Sequence, residues 1–565
     1  MTASSLLQAA MRRKSSAPPS NALVTEADTE RPLNLTDLTL LGVGGTLGSG
    51  LFLLTGRAAR VIAGPAVTLS FTVAAIACLF SALAYAEMAS RNPNSGGAYA
   101  FAYSALGELP AFLVGMCLTL EYGVSSAAIA RSWASYLGDA VGFLPGWLTG
   151  KDSVFSVLAL VLVLAVSLML SLGMKEAKWV INAATLAYAG VVAVILVFGV
   201  QKVDTGNWDP FFPFGLQGVI AGSSAVFFAY VGFDEVATVA EEAQDAARTV
   251  PLAILLSLVI VTSMYIAASL VLTGLMDYEV IDTYAPFSAA FRSVGLPIVA
   301  KLVGFGTALG MMNTTTVSLA AQPRIFMSMG RDGLLPRAFA LSSSATTVGC
   351  GVVVAMLAVL VETHALADVV SGGTLLAFLA TNVALLLTRS RIHSRARRTP
   401  SLIYLFVGAS ALTGIVSRLM GKNQMPRWLG LLISIPVMLS ISIMLLTSDF
   451  EGGSQYERAA PSFMCPLVPI IPMLGSFTTC FLLFQLSNKA LTALCTWLAL
   501  SATTYFCYGA RNAIIATSYL NIAVASPTQS YSSFDELATE ARSISSNDSP
   551  LSSPLPKATN SQAAL

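Results

Sequence analysis

Two short stretches of this 565-residue chain combine groups that could bind a small charged molecule. The first, GVGGTLGSG at residues 42–50, has five glycines inside a run that is otherwise apolar. The second, AVFFAYVGFDEVATVAEE at residues 225–242, carries Gly232 next to Asp234 and Glu235. Glycine destabilises a helix interior by roughly 1 kcal/mol relative to alanine. Both stretches are therefore candidate helix interruptions, and the second adds carboxylates.

The glycine-rich stretch has two interpretations. Gly44 and Gly48 have the four-residue spacing that lets two membrane helices pack closely. Alternatively the helix is discontinuous, and a second half beginning near Ser49 directs free N–H groups at an anionic group. The second stretch favours the discontinuous helix, because a carboxylate such as Asp234 is costly inside a membrane and usually functional. Irregular backbone at membrane depth is tolerated where it lines a cavity.

The composition indicates an integral membrane protein. Hydrophobic residues make up 55% of the chain and charged residues 11%, against about 25% charged residues in soluble domains. The net charge of +1 argues against a nucleic-acid partner. His364 and His393 stand far apart, and no cysteines have the spacing of a zinc site, so we expect neither a metal nor a cofactor.

Apolar runs of roughly 20 residues predict about fourteen membrane helices. Their expected positions are 36–56, 65–88, 108–136, 153–172, 177–201, 216–242, 250–275, 297–328, 346–362, 366–389, 401–420, 427–447, 463–485 and 489–509. The candidate interruptions fall in the first and sixth spans, which are matching positions of two five-helix halves. Interruptions at matching positions are typical of an inverted-repeat transporter with its site at the bilayer midplane.

The predicted fold is therefore an all-α polytopic membrane protein. Its core would comprise residues 36–389, in two halves at 36–201 and 216–389, with four further helices in 401–509. The loop at 388–399 contains five arginines and lies on the same side as the N-terminus, so the positive-inside rule places both termini in the cytoplasm. The polar segments 1–35 and 510–565 are predicted to be cytoplasmic and disordered.

Several motifs in order give a family resemblance. GVGGTLGSGLFLLTG and SALAYAEMASRNPNSGGAYAFAYSALGELPAF resemble the amino acid–polyamine–organocation superfamily. FFAYVGFDEVATVAEEAQDAARTVPLAILLSL and PRIFMSMGRDGLLP are similar to its cationic amino acid transporter branch. FMCPLVPIIPMLGSF and TTYFCYGARNA resemble the two last spans of that branch. The resemblance implies a LeuT-type inverted-repeat core with broken helices 1 and 6, and alternating-access transport of free amino acids.

The resemblance also implies a substrate site at the two breaks. Backbone N–H groups of the first break would bind the substrate carboxylate, at Gly45, Thr46, Gly48, Ser49 and Gly50. Backbone carbonyls of the sixth span would accept hydrogen bonds from the α-ammonium, at Phe228, Ala229 and Val231. Phe228 would also close over the occupied site. A zwitterion needs donors at one end and acceptors at the other, which fits this arrangement.

Two further residues concern the substrate side chain. Glu121 on the third span is either a pocket or proton-relay carboxylate or the ion-pair partner of Arg131, nearly three helical turns away. Ser318 either leaves room for a long cationic side chain, as the resemblance implies, or bonds to its own helix backbone. Together with the resemblance, these features favour lysine, arginine and ornithine as substrates.

The driving force has alternatives. Proton-coupled relatives have a lysine midway along the fifth span, whereas NAATLAYAGVVAV at 182–194 has none, which favours facilitated transport driven by the membrane potential. Proton coupling through Asp234 or Glu121, with small neutral amino acids as substrates, is one alternative. An amino acid sensor that does not transport is another.

Other functional classes fit poorly. A channel would show a repeated pore loop or charged rings, and an enzyme would need a nucleophile–base pair or a metal cluster. We therefore expect a non-enzymatic carrier whose partners are an amino acid and the lipid bilayer. The plasma membrane is the expected location, with a vacuolar or lysosomal membrane as the alternative.

Overall fold

The fold is known from a computed structural model. It describes residues 9–14, 31–48, 50–94, 96–141, 145–149, 155–283, 285–341, 343–360, 363–391, 399–422, 439, 442–443 and 462–513. Within these residues the chain is helical, and the sole extended pairing is a parallel bridge between Leu33 and Ala243. The prediction of an all-α protein is confirmed.

The described residues up to the second predicted interruption form ten α-helices. They are α1 (Leu35–Thr46), α2 (Thr55–Ala58), α3 (Val67–Arg91), α4 (Gly97–Ala105), α5 (Glu108–Thr119), α6 (Ser125–Val141), α7 (Gly146–Thr149), α8 (Val157–Ser171), α9 (Met174–Val200) and α10 (Gly215–Val226). Helix α5 continues into α6 through a π-helical turn over Leu120–Val124.

The described residues beyond this interruption form eleven further α-helices. They are α11 (Glu235–Thr238), α12 (Ala246–Leu275), α13 (Pro286–Ser293), α14 (Pro297–Arg331), α15 (Ala338–Leu341), α16 (Ser343–Leu360), α17 (Thr363–Arg391), α18 (Thr399–Lys422), α19 (Ile470–Gln485), α20 (Asn488–Thr504) and α21 (Ala510–Asn512).

These helices correspond closely to the predicted spans. In the described part of the chain, eight helical segments are long and apolar enough to cross a membrane, and α8, α16 and α19 are shorter apolar helices at further predicted positions. The predicted span at 427–447 lies outside the described residues, apart from 439 and 442–443. The chain is an integral membrane protein, whereas the number fourteen and the inverted repeat stay predictions.

Large apolar side chains on the outer faces of the helices remain exposed. Leu168 of α8 is 64% exposed, Trp179 of α9 is 71% exposed and Val259 of α12 is 60% exposed. Exposed apolar surface of this extent marks contact with another apolar phase. These faces therefore fit the hydrocarbon of a bilayer.

The N-terminus of helix α1 is capped and is hydrogen-bonded to α9. Asn34 caps the helix by accepting a hydrogen bond from the Asp37 N–H at 2.9 Å, and the Asp37 carboxylate accepts one from the Asn34 N–H at 3.1 Å. From α9, Lys178 and Asn182 donate to Asp37 at 3.1 and 2.6 Å. This capping box fixes the first turn of α1, so that its other end is held at a defined position.

The first predicted span is interrupted where its glycines cluster. Helix α1 ends at Thr46, and the Leu47 N–H closes it by donating to Val43 O at 2.9 Å. The chain then forms a π-helical turn over Gly50–Leu54. The interruption predicted near Ser49 is present, although Ser49 itself lies outside the described residues.

The sixth predicted span is interrupted in the same way. After α10 the chain forms a 3₁₀ turn over Phe227–Tyr230, and helical structure resumes at Glu235. Gly232 between them has φ +127°, a conformation that an L side chain rarely adopts. The glycine thus allows the chain to turn between the two halves of the span.

The terminal segments differ in part from the predicted disorder. Ala9, within the N-terminal segment, is only 2% exposed, and Arg12 pairs with the buried Glu108. At the other end, α21 extends to Asn512, past the predicted boundary at 510. Residues 514–565 lie outside the described residues.

Candidate functional site

The two interruptions pack directly against each other. A Cβ atom at Gly232 would lie 2.8 Å from Gly45 O and 2.9 Å from Thr46 N. A Cβ at Gly50 would lie 2.6 Å from the Ala229 Cα. All three distances are shorter than the contacts that real Cβ atoms make. Glycine is therefore required at both positions for the two backbones to approach this closely.

Tyr265 of α12 connects the two interruptions. Its hydroxyl lies 2.8 Å from Thr46 O and 2.8 Å from Ala229 O. A hydroxyl has one proton, so it donates to one of these carbonyls at a time. The Tyr188 hydroxyl of α9 contacts the first interruption alone, since it donates to Leu47 O at 2.6 Å. Two buried tyrosines thus hold the carbonyl end of α1.

Asp234 lies in the turn of the sixth span and has its hydrogen bonds satisfied. Its side chain is fully buried, at 0% exposure. The Tyr122 hydroxyl donates to Oδ2 at 2.6 Å, and the Gly232 N–H donates to Oδ1 at 3.3 Å. Asp234 therefore links the third span to the backbone of the sixth-span interruption.

Only one carboxylate oxygen of Glu235, the next residue, has a hydrogen-bond partner among the described residues. The Ser318 hydroxyl of α14 donates to its Oε1 at 2.5 Å. Oε2 is buried and has no hydrogen-bond partner in the described part of the chain. A Cβ added to Gly45 would collide with this oxygen. Glu235 therefore lies between α1 and α14, where a free carboxylate oxygen faces the end of α1.

Glu121 lies in the π-helical turn of the third span. It is 3% exposed, and neither carboxylate oxygen has a hydrogen-bond partner among the described residues. The predicted alternative, an ion pair with Arg131, is therefore not formed. Glu121 interacts electrostatically with Asp234 and Glu235, so the three carboxyl groups form one cluster. Helical π turns are frequent at functional sites.

Midway along α9, where proton-coupled relatives are expected to have a lysine, neutral groups contact α1, whereas Lys178 near the start of α9 pairs with Asp37. Thr185 of α9 donates to Leu40 O at 3.2 Å and accepts a hydrogen bond from the Asn313 amide at 2.8 Å. Thr314 donates to Gly44 O at 3.1 Å. Helices α1, α9 and α14 are thus joined by hydroxyl and amide groups.

The structure brings most of the predicted site residues together. Gly45, Thr46 and Gly50 of the first span lie against Ala229 and the turn of the sixth span. Gly48 packs against the Thr314 side chain. Ser318 does not bond only to its own helix, since it reaches the site through Glu235.

Phe228 and Val231 have different surroundings. The Phe228 side chain lines a cavity of about 60 Å³ together with Phe227, Leu375, Leu482 and other residues of α10, α17 and α19. Phe228 O accepts a hydrogen bond from the Val231 N–H at 3.2 Å, so this carbonyl already has a partner. The proposed closing role of Phe228 stays a prediction.

The predicted site did not include Tyr122, Tyr188 and Tyr265. Glu235 was noted as a carboxylate beside Gly232 but was given no role in the site. Each places a polar group inside an apolar span, where it must find a partner in the protein because lipid offers none. This signal could have identified them as candidates. Among the described residues, no group of histidine, cysteine or carboxylate side chains could hold a metal ion.

Most of the chain matches two known protein families. Residues 33–441 match the family described as amino acid permease, and residues 463–513 match the family described as the C-terminus of that permease. The chain belongs to the amino acid permease family. Both interruptions and all three clustered carboxylates lie within the matched residues.

Three relatives show the range of similarity within this permease family. A methylthioribose transporter of Bacillus subtilis is 38% identical over 64% of this chain and 82% of its own length. The chloroplastic cationic amino acid transporter 9 of Arabidopsis thaliana is 35% identical over 89% of this chain and 93% of its own. The branched-chain amino acid permease BcaP of Bacillus subtilis is 32% identical over 86% and 95%.

The predicted branch is confirmed. Similarity to cationic amino acid transporters extends over most of this permease and of each relative. The chain is therefore a member of the cationic amino acid transporter branch of the amino acid–polyamine–organocation superfamily. The relatives include a methylthioribose transporter and a branched-chain amino acid permease, so membership defines a family of carriers with different solutes.

Proposed function

We propose that this permease transports free amino acids across a membrane by alternating access, with lysine, arginine and ornithine as its preferred substrates. The observation that carries the proposal is the junction of two helix interruptions beside three buried carboxyl groups. Glu121, Asp234 and Glu235 form no ion pair with a lysine or arginine in the described part of the chain. A cationic substrate would supply the missing charge.

The backbone groups of the two interruptions suit a zwitterion. The N–H groups at Gly48 to Gly50 follow the end of α1 and would donate to a carboxylate. The carbonyls of Ala229 and Val231 would accept hydrogen bonds from the α-ammonium, with Tyr265 exchanging its bond at Ala229 O for the one at Thr46 O. Neither end of the substrate then needs a charged side chain.

The membrane potential is the proposed driving force. Midway along α9, Thr185 contacts α1 and carries no charge that could be exchanged with a proton, whereas Lys178 pairs with Asp37 near the N-terminal end of both helices. A cation moved by the potential gains about 2.3 kcal/mol per 100 mV. The proposed core is a LeuT-type inverted repeat. Both termini would be cytoplasmic, and the plasma membrane is the proposed location.

A second candidate is a proton-coupled carrier of small neutral amino acids. The observation that favours it is Glu121, a buried carboxyl group within a membrane span whose two oxygens have no hydrogen-bond partner among the described residues. A non-transporting amino acid sensor on the same fold would use the same binding groups without crossing the membrane.

Uptake into liposomes distinguishes these functions. Purified full-length protein would be tested with radiolabelled lysine, arginine, alanine, leucine and methylthioribose, while voltage and the pH gradient are varied independently. We expect saturable lysine and arginine uptake that rises with an inside-negative potential and reaches about 50-fold accumulation at 100 mV. Uptake of alanine that follows the pH gradient at zero voltage would support the second candidate, and binding without uptake would support the sensor.

The Asp234→Asn variant tests whether the cluster is functional. We expect uptake of all amino acids to fall at least tenfold, because the charge held by Tyr122 and the Gly232 N–H is lost. Protein yield and surface amount should stay unchanged. Asp277→Asn, in an exposed turn, is the matched control and should transport normally. Normal uptake by Asp234→Asn would remove this residue from the mechanism.

A further inference from the structure

Glu235 differs from the other carboxylates of the cluster in its geometry. One oxygen is fixed by Ser318 at 2.5 Å, and the other is buried and has no hydrogen-bond partner among the described residues. The neighbouring Asp234 has both oxygens occupied, by Tyr122 and by the Gly232 N–H. Asp234 is therefore held by the protein, whereas Glu235 is oriented by the protein and keeps one oxygen for another group.

The free oxygen of Glu235 lies directly against the first interruption. Glu235 Oε2 faces Gly45, where any side chain would collide with it. Gly232 O lies 3.3 Å from the position that a Cβ of Gly45 would take, which places a carbonyl acceptor beside the carboxylate. Among the described residues, no lysine or arginine forms an ion pair with Glu235. The site thus offers acceptors and no donor to its free oxygen.

The free oxygen of Glu235 is adjacent to both interruptions. It lies against Gly45 of the first, and Glu235 follows Val231 of the sixth-span interruption by four residues. A lysine or arginine held at the two interruptions by its backbone groups would carry its charge on a long side chain that extends away from them, whereas alanine has no such group.

We propose that Glu235 is the specificity-determining residue that binds the cationic side-chain group of the substrate, with Ser318 as its positioning residue. This inference rests on the proposed function. Oε2 accepts hydrogen bonds from the substrate ammonium or guanidinium, and Gly232 O supplies a second acceptor. Ser318 holds the carboxylate in this orientation through Oε1. A charge-assisted hydrogen bond of this kind is roughly twice as strong as a neutral one.

The test compares each cationic amino acid with a neutral substrate of the same shape. Lysine is paired with norleucine, which lacks the ammonium, and arginine is paired with citrulline. Competition against radiolabelled lysine uptake in liposomes gives the preference of each variant. We expect Glu235→Gln to lower the lysine-to-norleucine preference at least tenfold, with norleucine itself little affected. Glu241→Gln, the same change in the partly exposed 3₁₀ turn over Ala240–Glu242, should keep the wild-type preference.

Two further variants separate charge from position. Glu235→Asp retains the carboxylate and should recover part of the lysine preference. Ser318→Ala retains Glu235 but releases Oε1, so we expect a two- to fivefold loss of lysine affinity. Thermal stabilisation of each purified variant by lysine and by norleucine measures binding independently of transport.

Three outcomes of these experiments distinguish failure of the inference from failure of the proposed function. A wild type that prefers lysine, together with a Glu235→Gln variant of unchanged preference, overturns the inference and leaves the proposed function intact. A folded Glu235→Gln variant that binds neither lysine nor norleucine also overturns it, because Glu235 would then act on all substrates alike. A wild type that carries no amino acid refutes the proposed function itself.

Discussion

At the scale of single residues, the site depends on hydrogen bonds between polar groups that are buried inside an apolar bundle. Tyr265 is the clearest example, because one hydroxyl serves carbonyl groups of two separate interruptions. A buried carbonyl that loses its donor costs about 1–3 kcal/mol. The contact is also exchangeable, since the proton moves between two acceptors at equal distance.

Tyr265→Phe removes this hydroxyl and leaves the ring in place. We expect a lower melting temperature, with a loss of about 1–3 kcal/mol in unfolding free energy, and slower lysine uptake, because the end of α1 is released from Ala229. Melting of the purified protein and liposome uptake measure the two effects. Tyr278→Phe, which removes an exposed hydroxyl, is the control. Equal behaviour of the two variants would show that the bridge has no role.

At the scale of elements, ion pairs connect α14 to the segment that follows the sixth-span interruption. Arg324 donates to the Glu242 carboxylate at 2.8 and 3.0 Å, and the pair is mostly buried. Arg331 and Glu241 form a second pair at 2.9 Å that is 48% and 34% exposed. The motifs EEAQ and PRIFMSMGR are therefore partners in space.

Exchanging the charges of Arg324 and Glu242 tests the buried ion pair. We expect Arg324→Glu and Glu242→Arg each to lower uptake strongly, because each leaves like charges facing one another. The double variant should recover a substantial part, with a coupling energy of about 0.5–3 kcal/mol. Arg331→Gln, at the exposed pair, should change stability by less than about 1 kcal/mol. A double variant no better than either single one would exclude a direct pairing role.

At the scale of the whole molecule, the N-terminal segment joins parts of the chain that are distant in sequence. Arg12 donates to Glu108 at 3.0 Å and to Ala510 O at 3.1 Å, and Lys14 pairs with Asp332 at 2.6 Å. Tyr99 donates to the same Asp332 at 2.8 Å. Burial and the nearby Asp332 carboxylate raise the pKa of Tyr99 well above its usual value, so the hydroxyl keeps its proton.

Arg12→Gln tests whether this segment stabilises the bundle. Glu108 is fully buried, and the variant leaves it with tyrosine donors only. We expect a loss of about 1–3 kcal/mol in stability and faster protease cleavage near the N-terminus. Arg13→Gln changes the neighbouring exposed arginine and should behave as wild type. Identical melting and cleavage for the two variants would rule out a stabilising contact.

The sequence predicted much of the fold because its signals are local. Apolar runs report which segments can cross a membrane, and the glycines of 42–50 and Gly232 report where a backbone is easily bent. The family motifs added the site at the two interruptions. The seating of residues 9–14 was not predicted, since a short basic segment looks the same whether it is solvated or paired.

What the sequence by itself determined is the environment of each segment and the places where helices break. Only the tertiary structure decided which polar groups meet: Ser318 reaches Glu235 across 83 positions, Tyr265 reaches Thr46 across 219, and Glu121 is not paired with Arg131. The physical reason is that helix breaking depends on the backbone preferences of a few adjacent residues. Partner choice depends instead on how whole helices pack, to within an ångström, and no local pattern encodes that distance.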